Sequence, residues 1–221
     1  MRKTLKIGSR ESPLALRQVE EVRRLFPHVA FEVKTYRTLG DRDRVTPLSD
    51  VEGTDFFTRE IDEALLRGEI DIALHSSKDF PEVVPCGLNV ILETAPLSKN
   101  DCLVAKNNFL LKDLPPKSRI GTSSRRRKEQ IRFMRPDLTV VDIRGNIEER
   151  LTLLDSGKLD ALIVAHAALI RLGLEGRVSE VFHLKDFPTH PKQGRLSLAI
   201  NKERWQELKF ILSEQAPAIR N

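Results

Sequence analysis

The chain reads as an α/β protein of two lobes, the first of them discontinuous. Three observations predict this. Strand-like and helix-like segments alternate along the 221 residues. Several strand-like segments are continuous apolar runs, as in strands covered on both faces. Two segments, Thr94–Asn100 and Lys185–Pro191, look like crossings between lobes. Lobe 1 is then expected at 1–95 plus 190–221, and lobe 2 at 96–189. A chain that crosses twice makes a hinged cleft, where ligands commonly sit.

The elements follow in order. Strand Leu5–Ser9 leads through Gly8-Ser9-Arg10-Glu11-Ser12 into helix Pro13–Leu25. Ser12 is a good N-cap and Pro13 occupies the permitted first position. Ala15, Val19, Val22 and Phe26 make one apolar face, and Pro27 stops the helix. Strand Phe31–Thr38, helix Phe56–Arg67, strand Asp71–Ser76 and strand Asn89–Glu93 complete the first passage. Past the first crossing come strands Cys102–Lys106 and Arg119–Gly121, helix Arg125–Met134 and strand Thr139–Arg144. Helix Ile147–Leu154, strand Ala161–Ala165 and helix Ala167–Leu172 end lobe 2. Strand Leu196–Asn201 and helix Lys202–Leu212 follow the return.

Composition removes several functions. Hydrophobic residues are 40% and charged residues 31%, which suits a folded chain rather than a disordered one. No apolar run approaches the roughly 20 residues a membrane span needs. The segment Met1–Ile7 lacks the apolar core of a signal peptide, so a cytoplasmic location is expected. Cys86 and Cys102 have neither CxxC spacing nor a nearby His, which argues against a zinc site and a disulfide framework. The net charge is +5, and 23 of the 37 cationic side chains are Arg. Guanidinium is a planar fork suited to carboxylate or phosphate. Aromatics at 5% argue against a single-strand stacking platform.

Chemistry-bearing residues gather at strand-to-helix junctions, the ligand-binding rim of an open parallel sheet. Arg10 and Ser12 stand at the first helix N-terminus, which carries free N–H groups and partial positive charge. Lys78 and Asp79 emerge after the apolar strand ending at Ser76; a carboxylate beside an ammonium stays charged. Such an Asp can pair with a cationic intermediate or accept a proton, although a lone Lys-Asp pair is often only a surface ion pair. Gly121-Thr122-Ser123-Ser124 opens a helix whose first turn is Arg125-Arg126-Arg127-Lys128. Cations there oppose the helix dipole, and a bound anion would relieve the conflict. No GxxxxGK[ST] occurs, so a Walker-type phosphate loop is excluded. Arg144 is expected to end a strand before the Gly145-Asn146 turn, with Arg150 on the next helix and Arg171 after Ala165-His166. Convergence of these arginines on one cleft points to a polycarboxylate or polyphosphate ligand.

At the same residues the sequence resembles the hydroxymethylbilane synthase (porphobilinogen deaminase) family. The matching patterns are Gly8-Ser9-Arg10-Glu11-Ser12-Pro13-Leu14-Ala15-Leu16, Thr38-Leu39-Gly40-Asp41, His75-Ser76-Ser77-Lys78-Asp79 and Gly121-Thr122-Ser123-Ser124 with Arg126-Arg127. Arg135-Pro136-Asp137-Leu138, Arg144-Gly145-Asn146, Leu154-Asp155 with Gly157, and Gln193-Gly194 continue them in family order. The resemblance implies two periplasmic-binding-protein-like (type II) lobes joined by a double-crossover hinge. It implies a transferase of heme and porphyrin biosynthesis that condenses porphobilinogen head to tail, with loss of ammonia, into the linear tetrapyrrole hydroxymethylbilane. It further implies Asp79 and Lys78 as catalytic. Arg10, Ser12, Ser124, Arg126, Arg127, Arg144, Arg150 and Arg171 would bind carboxylates of substrate and of a dipyrromethane cofactor. The expected partners are porphobilinogen and the growing polypyrrole, with no nucleic acid, no membrane, no metal and a monomeric chain.

The sequence also departs from the family. Usual members carry a third domain with a cofactor-anchoring cysteine in a Gly-Gly-Cys loop; neither Cys86 nor Cys102 matches it, and a short form lacking that domain is expected. Glu52-Gly53-Thr54-Asp55 replaces a Gly-Gly-Lys-Gly loop, Arg125 replaces a Leu, and Lys192 and Arg195 replace small residues beside Gln193-Gly194. Two other readings stay open: a non-catalytic two-lobed anion-binding protein derived from that family, and a nucleic-acid binder suggested by the isoelectric point of about 9.3.

Overall fold

A computed structural model describes residues 3–46, 48–51 and 53–213. Met1, Arg2, Glu52 and residues 214–221, which fall in segments named above, lie outside the described residues. The chain divides into two compact units: 1–43, 53–95 and 195–221 form the first, and 44–52 with 96–194 the second. The return therefore falls at Arg195, five residues beyond the expected 190, because Gln193 and Gly194 are bonded to Lys99 and Leu97 on the second unit's side. The segment 44–52, expected in the first lobe, groups with the second; Arg44 there is paired with Glu149 at 2.9 Å.

The first unit contains β1 (Thr4–Arg10), α1 (Pro13–Leu25), β2 (Ala30–Tyr36), α2 (Leu39–Arg42), α3 (Arg59–Leu66), β3 (Ile72–Ser76) and β4 (Leu88–Glu93). The second contains β5 (Asp101–Ala105), β6 (Arg119–Gly121), α4 (Arg125–Met134), β7 (Thr139–Val141), α5 (Ile147–Asp155), β8 (Ala161–Ala165), α6 (His166–Leu172) and β9 (Glu180–Val181). The chain returns to the first unit for β10 (Leu196–Asn201) and α7 (Trp205–Ser213).

The two sheets share one plan. The first runs β2-β1-β3-β10-β4 and the second β7-β6-β8-β5-β9. In each, the first three strands are parallel and the fourth is antiparallel to its neighbours. That fourth strand is the one entered just after a crossing: β5 after Pro96, β10 after Gly194. The sheets are thus mixed and not purely parallel.

Apolar runs arise because both sheet faces are covered. Ile72 and Leu74 pack with Val19, Val22, Phe26, Leu198, Ile200, Leu208 and Leu212 on one face. Ala73 and Ala199, the intervening residues, meet Ile61, Leu65 and Phe80 on the other. Alternate residues of a strand point to opposite faces, so a doubly covered strand has no polar phase. In β5, Leu103 and Ala105 join Ile120, Ile131 and Phe187, while Cys102 and Val104 join Leu151, Leu162 and Leu169. Each fully buried Leu or Ile contributes roughly 1.5–3 kcal/mol.

Several sequence expectations are revised. β7 stops at Val141, whose carbonyl accepts from Thr122 N at 3.0 Å; Arg144 therefore lies in a loop and does not end a strand. Asp142 has left the ladder to pair with Lys128 at 2.5 Å. α3 begins at Arg59 and not Phe56, since Phe56 and Phe57 pack edge to face in the preceding turn. The last helix is interrupted: Lys202–Arg204 is a 3-10 turn started by the Asn201 side chain.

Candidate active site

Parallel strands place their C-terminal ends on one edge of a sheet. In the first unit this edge holds Arg10 after β1, Thr38–Asp41 after β2 and Ser77–Asp79 after β3. In the second it holds Thr122–Arg127 after β6, Asp142–Arg150 after β7 and His166–Arg171 after β8. The predicted site residues follow these strand ends in the loops or on the helices that begin there, Arg171 as far along as the last turn of α6.

Arg10 is held from two sides. Its Nε donates to both oxygens of Asp41, at 3.1 and 3.2 Å, its Nη2 pairs with the same carboxylate, and its guanidinium lies 4.7 Å from the Phe57 ring centroid. Thr38 is the N-cap of α2, and Asp41 reaches back to it, accepting from Thr38 N at 3.1 Å and Thr38 Oγ1 at 2.8 Å. Burial alone would raise the Asp41 carboxyl, but the Arg10 and Thr38 bonds outweigh it and lower its pKa. Ser12 caps α1, its oxygen accepting from Ala15 N at 3.3 Å.

The loop bearing Lys78 and Asp79 is fixed from beneath. Asp79 N donates to the Ser76 carbonyl at 2.9 Å, and Ser77 N to the Arg195 carbonyl at 3.0 Å. Gln18 Nε2 donates to Ser76 Oγ at 3.0 Å, and the Ser77 and Ser197 hydroxyls are 2.8 Å apart. His75 is buried with its Nε2 2.9 Å from Asp62 and its ring 5.1 Å from Phe80. The buried polar residues of this motif support the loop, and Lys78 and Asp79 remain half-buried at its tip.

In the second unit the cationic first turn of α4 is matched by protein carboxylates. Arg125 pairs with Glu129 at 3.0 Å and Lys128 with Asp142. Arg126 and Arg127 share Asp101, at 2.7 Å through Nη2 of Arg126 and at 2.9 and 2.5 Å through Nε and Nη2 of Arg127. These carboxylates relieve part of the charge conflict for which the sequence suggests a bound anion. Asp101 is fully buried; burial would raise its pKa, but Arg127 and Arg126 reverse this and hold it at about 2. Arg127 also donates to the Ile163 carbonyl at 3.3 Å, whereas Arg126 keeps 27% of its side chain exposed and bonds the Pro188 carbonyl through Nη1. Ser124 caps α4 without spending its hydroxyl on the helix backbone.

Gly145 takes φ +99°, closed to most L side chains, and lets Asn146 cap α5 in a reciprocal box with Glu149, both bonds at 2.8 Å. Arg150 Nε donates back to the Gly145 carbonyl at 2.9 Å, and Arg171 Nη2 to the Gly194 carbonyl at 2.9 Å.

Asp101, Gln193 and Asp41 are the residues that sequence reasoning left without a role. Asp41 and Gln193 were signalled by the family patterns that contain them, and Asp101 only by a charge at the start of an apolar strand.

Dipyrromethane carries acetate and propionate side chains on two linked pyrroles, so it demands cations and hydroxyl donors. Partly exposed Arg10 and Arg126 with cap serines on the strand edges fit that demand. The thiols do not fit a thioether anchor. Cys102 is buried, and burial together with Asp101 pushes its pKa up to about 12. Cys86 is exposed but precedes β4, whose Leu88 pairs with Asn201, while Ser76 pairs with Leu196 at the opposite end of β10. About five strand residues, ~17 Å, separate those ends.

Two sheets of this topology define a two-lobed α/β protein of the type II periplasmic-binding-protein kind. A nutrient binding protein from Burkholderia cenocepacia bound to methionine has this fold at a TM-score of 0.53 and 12% identity, over 97% of this chain and 93% of its own. The VFT2 domain of Bordetella pertussis BvgS, as a double mutant, aligns at 0.51 and 15% identity, over 99% and 88%. The family model for porphobilinogen deaminase, dipyromethane cofactor binding domain, matches residues 5–209. Porphobilinogen deaminase of Chlorobaculum tepidum is 43% identical over 96% of this chain and 69% of its own length. That of Chlorobium chlorochromatii is 38% identical over 96% and 70%. The chain belongs to the porphobilinogen deaminase family. Among the described residues no helix is long and apolar enough to cross a membrane.

Proposed function

We propose that Asp79, Lys78 and the edge arginines carry out the family's reaction, the head-to-tail condensation of porphobilinogen with release of ammonia to give hydroxymethylbilane. The single observation that carries this assignment is the loop after β3. It carries the consecutive, half-buried Lys78 and Asp79 past the C-terminal end of β3, on a loop fixed by hydrogen bonds with Gln18, Ser197 and Arg195.

Loss of ammonia from porphobilinogen leaves a cationic azafulvene. A carboxylate fixed beside it stabilises charge that develops only in the transition state. Asp79 is that carboxylate; it also takes the proton lost when a pyrrole carbon regains aromaticity. Lys78 meets a substrate carboxylate. Arg10, Ser12, Ser124, Arg126, Arg144, Arg150 and Arg171 bind acetate and propionate groups. Arg127, enclosed against Asp101, supports this set from within. Bound dipyrromethane supplies the pyrrole carbon that receives the first unit, and the same cationic and hydroxyl donors would hold its carboxylates. The protein is read as a cytoplasmic monomer without a nucleic-acid partner.

Incubation with porphobilinogen, followed by Ehrlich's reagent, tests the reading. Consumption of the pyrrole and appearance of uroporphyrin after acid oxidation are expected. Binding of porphobilinogen without consumption would favour the anion-binding alternative instead.

A further inference from the structure

Among the described residues of the second unit, Asp101 is the one fully enclosed carboxylate, and the proposed reaction leaves it without a task. It opens β5 opposite Ala165, the last residue of β8, and so lies at the edge from which α4, with Arg126 in its first turn, and α6 start. Four N–H bonds converge on it: three from Arg126 and Arg127, and one from Gln193 Nε2 at 2.7 Å.

The two arginines differ in what they can do. Arg127 has 8% of its side chain exposed and spends Nε and Nη2 on Asp101 and Nη1 on Ile163. It neutralises the buried carboxylate. Arg126 adds a second cation to the same carboxylate, and it also lines a pocket with Glu129 and Asp186. Arg126 is the partly exposed one of the two, with Nη2 bonded inward to Asp101 and Nη1 to the carbonyl of the exposed Pro188. A guanidinium held along one edge presents its other edge in a fixed direction, and little rotamer entropy remains to be lost on binding an anion. Gln193 holds the carboxylate in turn, because its amide also donates to the Lys99 carbonyl at 3.2 Å. Thr189 Oγ1 donates to that carbonyl at 2.6 Å, and Gln130 Nε2 to Pro188 at 2.9 Å.

We propose that Asp101, steadied by Gln193, is a positioning residue that aims Arg126 at a carboxylate of porphobilinogen or of the growing pyrrole chain. This rests on the proposed function for the identity of the anion.

The experiment reads binding separately from turnover. Porphobilinogen is titrated calorimetrically into the full chain carrying Asp79→Asn, and then into that background with Arg126→Gln, Asp101→Asn, Gln193→Met and the pairs with Arg126→Gln. Arg126→Gln and Asp101→Asn should each weaken binding about 10-fold, and Gln193→Met about threefold. The pairs should bind no more weakly than Arg126→Gln alone, because Asp101 acts only through Arg126. Losses that multiply in the pairs, or unchanged affinity in Asp101→Asn or Gln193→Met, overturn the proposal. Asp101→Asn strands the buried Arg127 charge and can fail to fold; Gln193→Met keeps the charges and decides the matter alone. Failure of the unsubstituted chain to consume porphobilinogen, with coupled binding losses intact, would sink the catalytic reading and spare this one. No binding by any form would end both.

Discussion

Gly194 lies against Ser98 so closely that a side-chain carbon on it would overlap the Ser98 carbonyl oxygen. Its φ of +80° is also in the region that L side chains avoid. Gly194→Ala is therefore expected to destabilise the fold by about 2 kcal/mol or more, since backbone atoms cannot yield as a side chain can. Urea unfolding with the midpoint and slope compared to the parent chain checks this; a loss below ~0.5 kcal/mol would contradict the close approach.

Asp79→Asn removes the proposed charge without changing shape. Turnover of porphobilinogen should fall at least ~100-fold with the thermal midpoint little altered. A variant that turns over normally would remove Asp79 from the mechanism.

Asp101 titrates at about 2 in the folded protein against an ordinary 3.8. A depressed folded value means that its stabilisation is fully present above pH 3.8 and is lost as pH falls through about 2. The contribution is about 2 kcal/mol. Carbon NMR of the carboxyl should show a midpoint near 2; a midpoint close to 3.8 would mean that the arginines do not hold it.

Cys86 is exposed and Cys102 is buried with its thiol pushed up to about 12. A thiol reagent at pH 8 should label Cys86 in the native protein and reach Cys102 only on unfolding. Labelling of both at equal rates would contradict the packing around β5.

Arg135 donates to the carbonyls of Leu111, Lys112 and Leu114 at 2.6, 3.0 and 2.8 Å and forks onto Asp137 at 2.8 and 2.7 Å. A lysine has one donor group and no fork. Arg135→Lys should cost about 1–3 kcal/mol in denaturant unfolding, with porphobilinogen affinity unchanged.

Much of this architecture was written locally. Helix Pro13–Leu25 has its cap, its first-turn proline, its apolar face and its stop within one segment, and it forms over those residues. Strands Arg119–Gly121, Ala161–Ala165 and Leu196–Asn201 are bounded by charge or turns and match as well. The misreadings have non-local causes. The end of β7 depends on Lys128 drawing Asp142 away, and the start of α3 on packing of Phe56 and Phe57. The internal partner of Arg126 and Arg127 was also hidden, because Asp101, some 25 residues earlier in the chain, gives no sign of its partners until β5 lies beside β8.

In the first sheet, β4 is joined only through β10, which stands between it and β3. The ribosome delivers β10 after the whole of 96–194 has emerged. The second unit's strands are all in hand by then, while the first unit's nascent sheet still has an unfilled slot between β3 and β4. Vectorial synthesis thus favours maturation of the later-made unit first, leaving the N-terminal sheet to be closed by a strand that follows the whole of 96–194.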